Sequence, residues 1–242
     1  MSTTWHFHEL DECESTFIEA RKLPAWSAVN CIHQSKGRGR FNRTWFGEQG
    51  GLWVNYTLPI DNALNCPWGF MPLVAGLALI NALSPYNIPD LRLRWPNDLL
   101  VGRHKLAGIL VERPSADIVS VGIGVNIHNN IVKLHGLTTD YPVRLADLLP
   151  HNCPSVPQLR AEIANALAEM YAIFTQAGVT RVIDMLKGAW GTSLPVVAIT
   201  DTERICGYFC GVEEDGSPIL RRADGSCIRV PGITINRLKE LI

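Results

Sequence analysis

Between Gln34 and Trp45 the chain reads Gln-Ser-Lys-Gly-Arg-Gly-Arg-Phe-Asn-Arg-Thr-Trp. Gly37 and Gly39 let a backbone turn tightly and bring its N–H groups close to a ligand. Arg38, Arg40 and Arg43 add bidentate donors suited to phosphate or carboxylate oxygens. The segment matches neither GxxxxGK(S/T) nor GxGxxG, so it is not a common nucleotide-binding glycine loop. By itself it leaves three readings open: an anion-binding loop, a solvated basic loop, or a nucleic-acid contact.

Three further groups follow. In Arg94-Trp95-Pro96-Asn97-Asp98 a proline turns the chain out of a strand and leaves two polar side chains just beyond it. Asp98 is suited to a divalent cation or a ligand nitrogen, and Asn97 to a direct hydrogen bond. A proline turn with self-capping side chains is the plainer alternative. Lys105 opens the apolar run Lys-Leu-Ala-Gly-Ile-Leu-Val-Glu112. Gly108 inside that run weakens a strand, which is common where a ligand lies against the backbone. Glu112 reads as a strand-end carboxylate. Val121-Gly-Ile-Gly-Val-Asn126 has two glycines lightening one strand face and an amide at its end.

Period-two alternation predicts strands over Leu91–Trp95, Leu52–Leu58, Lys105–Glu112 and Asp117–Val125, with a hairpin turn centred on Gly102. Helical spacing predicts helices over Phe70–Leu83 and Pro157–Gln176. Pro157 suits the start and Gly178 the end of the second. A third, shorter helix is predicted over Arg181–Trp190. Strands joined by short links, with helices interspersed, indicate an α+β domain. After Trp190 come Leu194–Ile199, Ile205–Val212, Pro218–Arg222 and Ser226–Val230, short strands with turn-rich links and no helix. They predict a small appended β-barrel.

The 242 residues suit one large domain, or one with a small appendage. Lys plus Arg number 22 against 23 Asp plus Glu, so the arginine-rich segment is a local feature and broad nucleic-acid binding is disfavoured. The N-terminal segment from Met1 lacks a secretory pattern, and Phe70–Leu83 is short for a membrane span. Seven scattered cysteines without a CxxC pair suggest reduced thiols in a cytoplasmic protein. Cys206 and Cys210 are expected on one strand face, half-buried as small apolar residues.

In this order the four groups resemble the catalytic domain of biotin protein ligases. That family shows a GRGR-type loop with a following Arg and Trp, a WPND-type motif, KLAGILVE and a G-x-G-x-N strand. Glu14-Ser15-Thr16 resembles its acidic-Ser-Thr segment. Two departures stand out: Phe17 follows that segment, and Phe41-Asn42 follow Arg40, where basic or polar residues are usual.

The resemblance covers roughly residues 5–190 and implies a mixed or antiparallel sheet packed with helices, akin to class II aminoacyl-tRNA synthetases. It divides the chain into a biotin- and ATP-binding domain (1–190) and an SH3-like domain (191–242). It implies a monofunctional ligase without an N-terminal DNA-binding domain. Biotin would be activated by ATP, with Mg2+, to biotinoyl-AMP and passed to a lysine of a biotin carboxyl carrier domain. No nucleic acid or membrane partner is expected, and a homodimer is left open.

By the same resemblance Lys105, Arg38 and Arg40 are catalytic. Ser15, Thr16, Gln34, Gly37, Arg38, Lys105, Gly108 and Gly124 bind biotin. Arg38, Arg40, Arg43, Trp45, Asn97 and Asn126 bind ATP, with Trp45 favoured over Trp95 for stacking on adenine, and Asp98 is the candidate magnesium contact. The alternatives are a lipoate or octanoate ligase, whose Arg-Arg-x-Ser-Gly-Gly-Gly loop is absent, and a non-catalytic biotin-binding protein, which would be expected to lose Lys105 or the loop arginines.

Overall fold

Alternation along β4 (Leu52–Pro59) sends Leu52, Val54, Tyr56 and Leu58 into one apolar core and Trp53 and Asn55 to the opposite face. The same division runs through β7 (His104–Glu112) and β8 (Ile118–Val125). It produces a sheet with one greasy face and one working face. The computed structural model describes residues 4–61, 66–131 and 141–241, apart from the Asn42 side chain. Met1-Ser2-Thr3 of the N-terminal segment read above lie outside them.

Other elements complete this sheet. They are β1 (His6–Cys13), α1 (Thr16–Ala20), β2 (Ser27–Arg38), β3 (Thr44–Gly47), α2 (Met71–Leu83), β5 (Leu91–Arg94) and β6 (Asp98–Val101). The strand order is β1-β2-β4-β8-β7-β6-β5, with β3 paired to β2. β1 and β2 run parallel and the other pairs antiparallel, so the sheet is mixed. β1 has no outer neighbour among the described residues.

The apolar face is covered by α2 and α4 (Val156–Leu186), with the short α3 (Leu145–Leu148) between them in sequence. Ser155 caps α4, accepting from Gln158 N–H, and Pro157 lies in its first turn. Gly178, at φ 78°, breaks the helix as expected, and the helix resumes to Leu186 rather than Trp190. Trp68–Tyr86 is long and apolar enough to cross a membrane by length and composition, but it contains α2, the buried helix of this core.

A second, five-stranded antiparallel sheet follows, β9 (Pro195–Ile199), β10 (Arg204–Val212), β11 (Pro218–Arg221), β12 (Cys227–Arg229) and β13 (Arg237–Glu240), in the order β12-β11-β10-β9-β13. Four of its strands were legible in the sequence and β13 was not. The two sheets meet closely. Trp95 Nε1 donates to the Gly216 carbonyl at 2.8 Å, and Arg92 on β5 grips Glu240 on β13.

All seven cysteines are free. Cys206 and Cys210 do share a face of β10, but they are exposed rather than half-buried. The sheet turns Ile205 and Phe209 inward, which leaves Cys206, Tyr208 and Cys210 in solvent.

Candidate active site

The arginine–glycine segment is the tip of a hairpin. β2 runs on through Arg38 and β3 starts at Thr44, with Gly37 opposite Trp45 and Arg38 opposite Thr44. The turn is closed by Gly39 N–H donating to Arg43 O at 2.7 Å and Arg43 N–H to Arg40 O at 3.2 Å. Arg40, Phe41 and Arg43 at this tip line a cavity of about 920 Å³, whose other walls come from α1, β7, β8, Trp95–Asp98 and β13.

The electrostatic centre of the cavity is Asp98. Its hairpin is tight, with Arg94 paired to Asp98 across the Trp95-Pro96-Asn97 turn. Lys105 Nζ meets Asp98 Oδ1 at 2.5 Å and Arg94 Nη2 meets Oδ2 at 2.5 Å. Burial pushes the Asp98 carboxyl up, but Lys105 and Arg94 overcome this and hold it below the usual carboxylate value. Arg40 also feels Asp98. Burial lowers the Arg40 guanidinium, Asp98 opposes that, and Arg43 adds to it. Two cations therefore contact one carboxylate and a third, Arg40, feels its charge, which leaves surplus positive charge suited to an incoming anion.

This pairing has a pH signature. The folded pKa of Asp98 lies below its unfolded value, so the ionised carboxylate adds stability above the unfolded pKa. That stability is lost as pH falls through the folded value. Asp98→Asn is expected to be less stable than the parent at neutral pH by about 1.5–3 kcal/mol. The gap should close as pH drops below about 4, as read by urea unfolding across that range. A gap that is constant with pH would contradict the pairing.

Asp98 does not fit a resident magnesium site. Both of its oxygens are taken by cations, and the described residues contain no group of three or more His, Cys, Asp or Glu that could hold a metal ion.

The floor of the cavity is glycine. A Cβ on Gly108 would sit 2.8 Å from Trp45 Cζ3, and one on Gly124 would sit 2.6 Å from Trp45 Nε1. A Cβ on Gly122 would meet the Phe17 ring at 2.5 Å. The Trp45 indole thus lies against Gly108 and Gly124, the glycines expected to contact biotin. It is flanked by Lys105, whose Nζ is 5.2 Å from a Trp45 ring centroid, and by Trp53, edge-on at 6.2 Å. The Trp45 Nε1–H is buried without a hydrogen-bond partner.

At one end of the cavity Gln34 Oε1 accepts from Thr16 N–H at 2.8 Å and Thr16 Oγ1–H at 3.1 Å. Ser15 caps α1, accepting from Phe17 N–H at 3.4 Å, and is not part of the cavity lining. Gly37 lies behind the lining too, because a Cβ there would be 2.3 Å from the Trp45 carbonyl oxygen. Arg38 lines the cavity but pairs with Glu112 at 3.1 Å, which also holds Arg21 at 3.2 Å. Asn97 Nδ2 donates to Ile109 O at 2.7 Å, and Asn126 Nδ2 donates to Lys105 O at 3.4 Å. These two amides brace the backbone around Lys105 while facing the cavity.

Sequence reasoning missed Arg94 as a site residue, although its place opposite the core in Leu-Arg-Leu-Arg marked it as polar in a half-buried strand. It took Glu112 for a mere strand end. It missed Asn236–Glu240 of the cavity wall, because that short stretch alternates too weakly to announce a strand.

A family model for the biotin/lipoate A/B protein ligase family matches residues 14–127. The biotin–[acetyl-CoA-carboxylase] ligase of Paracoccus denitrificans is 32% identical over 238 residues, 89% of this chain and 94% of that protein. This chain belongs to the biotin protein ligases. Another relative in the family, the bifunctional ligase/repressor BirA of Bacillus spizizenii, is 28% identical over 59% of this chain, which spans only 45% of that longer protein. Among solved biotin protein ligases, that of Aquifex aeolicus in complex with biotin and ATP matches with a TM-score of 0.82 at 22% identity. The match covers 98% of this chain and 99% of that one. The Leishmania major enzyme in complex with biotinyl-5-AMP matches with a TM-score of 0.65 at 20% identity, over 94% and 99%. At these identities the structures establish the shared fold.

Proposed function

We propose that the chain activates biotin with ATP to biotinoyl-AMP and transfers the biotinoyl group to a lysine of a biotin carboxyl carrier domain, in the cytoplasm. The observation that carries this reading is the pairing of Lys105 and Arg94 with Asp98 inside a cavity that the arginine tip, with Arg40 and Arg43, also lines. The first step joins two anions, the biotin carboxylate and the α-phosphate, and their repulsion must be offset where water is scarce. Lys105 sits where both would meet. Asp98 and Arg94 hold its ammonium in place, so the charge is already oriented when the reactants arrive. Any magnesium enters with the nucleotide as part of the substrate.

Thr16 and Gln34 define the polar end suited to the biotin ureido ring, with Ser15 setting the start of α1 behind them. Arg40, Arg43, Asn97 and Asn126 face the nucleotide side. Arg38 must leave Glu112 to reach a phosphate. Biotin's fused rings and the Trp45 indole compete for the same glycine floor, so we read Trp45 as a cover that lifts for the ligand. A catalytic unit spans residues 1–190 and an SH3-like unit residues 191–242. The latter supplies β13 as one wall of the site.

The test is pyrophosphate release by the purified protein with MgATP, comparing biotin with lipoate, followed by addition of a carrier domain. Biotin-dependent release and carrier biotinylation are expected. Release with lipoate and none with biotin would overturn the assignment.

A further inference from the structure

Phe41 is one of the two residues at which this loop departs from the pattern it resembles, and it is unusual in three ways. It occupies the left-handed region at φ 55°, ψ 41°, a strained choice for a residue with a bulky side chain. The residue is 55% exposed, so core packing does not explain a phenylalanine here. The ring is also approached by two guanidiniums, with Arg40 Cζ at 4.9 Å and Arg43 Cζ at 6.0 Å from its centroid.

The turn creates the problem that this ring answers. Arg43 N–H bonds back to Arg40 O, which draws two like charges into one small tip. Their mutual repulsion and the burial of Arg40 both disfavour the charged pair before any anion is present. A carboxylate between them would relieve the repulsion, but it would also cancel the charge that a phosphate needs. An aromatic face attracts both cations through its quadrupole and leaves their charge intact. We propose that Phe41 is a positioning residue for the nucleotide, gathering Arg40 and Arg43 over the cavity in readiness for the polyphosphate. This rests on the adenylate-forming reading for its physiological ligand.

The alternative for an exposed aromatic at this place is direct stacking on adenine, and one pair of probes separates the two. Binding of ATP and of inorganic tripolyphosphate is measured by calorimetry on the parent, Phe41→Leu and Phe41→Tyr, alongside steady-state kinetics. Phe41→Leu is expected to weaken both probes by about five- to tenfold and to raise KM for ATP equally, from the loss of two cation–π contacts. It should leave KM for biotin within about twofold. Phe41→Tyr keeps the π face and should match the parent.

The proposal is overturned if Phe41→Leu binds tripolyphosphate like the parent, because a loss confined to ATP means adenine stacking. It is also overturned if Phe41→Tyr is as impaired as Phe41→Leu, or if the parent binds neither probe. A parent that binds tripolyphosphate in a Phe41-dependent way yet shows no biotin-dependent pyrophosphate release supports the positioning role while refuting the adenylate reading.

Discussion

Lys105→Ala is expected to lower biotin-dependent pyrophosphate release by about 10²–10³-fold, the usual cost of losing one preorganised charge partner in a transition state. The fold should survive the change. The Lys105 backbone is held independently of its side chain, donating to Tyr141 O at 2.8 Å and accepting from Val143 N–H at 3.0 Å. Asp98 keeps Arg94 as its partner, so no bare carboxylate is left in the cavity. The loss should appear in the rate of adenylate formation, with circular dichroism and the cooperativity of thermal unfolding unchanged. Lys105→Arg retains the charge but replaces a compact ammonium with a planar fork, so it should recover only part of the rate. Near-normal release by the alanine variant would remove Lys105 from the mechanism and with it the reading of the Asp98 cluster as the reaction centre.

The second large effect concerns stability. Arg92→Met is expected to destabilise the protein by about 3–5 kcal/mol, as measured by urea unfolding, because it strands a buried carboxylate. Arg92 donates to both Glu240 oxygens, at 2.7 and 2.8 Å, and through Nε to Gly102 O at 3.1 Å. The two side chains are only 11% and 9% exposed. A bidentate pair this dry ties β5 of the first sheet to β13 of the second, and β13 is a wall of the cavity. The double variant Arg92→Met/Glu240→Met removes both charges and should recover most of the loss, since replacing a whole buried pair with apolar groups is often close to neutral. A single variant within about 1 kcal/mol of the parent would show that the pair is a bystander of sheet packing.

Much of this molecule was legible from its residues, for identifiable reasons. β8 carries a long period-two run, β7 an apolar run bounded by Lys105 and Glu112, and Gly178 broke α4 where a positive φ was needed. The comparisons bear out the α+β class and the family. β1 and β2 were harder to see. β1 (His-Phe-His-Glu-Leu-Asp-Glu-Cys) is polar on both faces because it lies at an edge, and β2 changes from buried to exposed along its length. In the site, Lys105 and the tip arginines, residue types with one evident use, line the same cavity. Ser15, Asn97 and Asn126 are found serving the backbone, a role that residue type alone cannot distinguish from ligand binding. The indole on the glycine floor was invisible in advance, because which flat ring fills a flat trough is decided by the hairpin register that pairs Gly37 with Trp45.

The two tryptophans that meet over this floor differ in one bond. Trp53 Nε1–H donates to Glu48 O at 2.8 Å, whereas Trp45 Nε1–H has no acceptor. Swinging Trp53 would break a hydrogen bond, and swinging Trp45 breaks none. In solvent or beside a ligand oxygen the Trp45 N–H would gain the acceptor that it lacks at rest. On the reading of Trp45 as a cover, the missing acceptor favours its lifting, and the Trp53 bond holds the neighbouring ring in place as a doorpost.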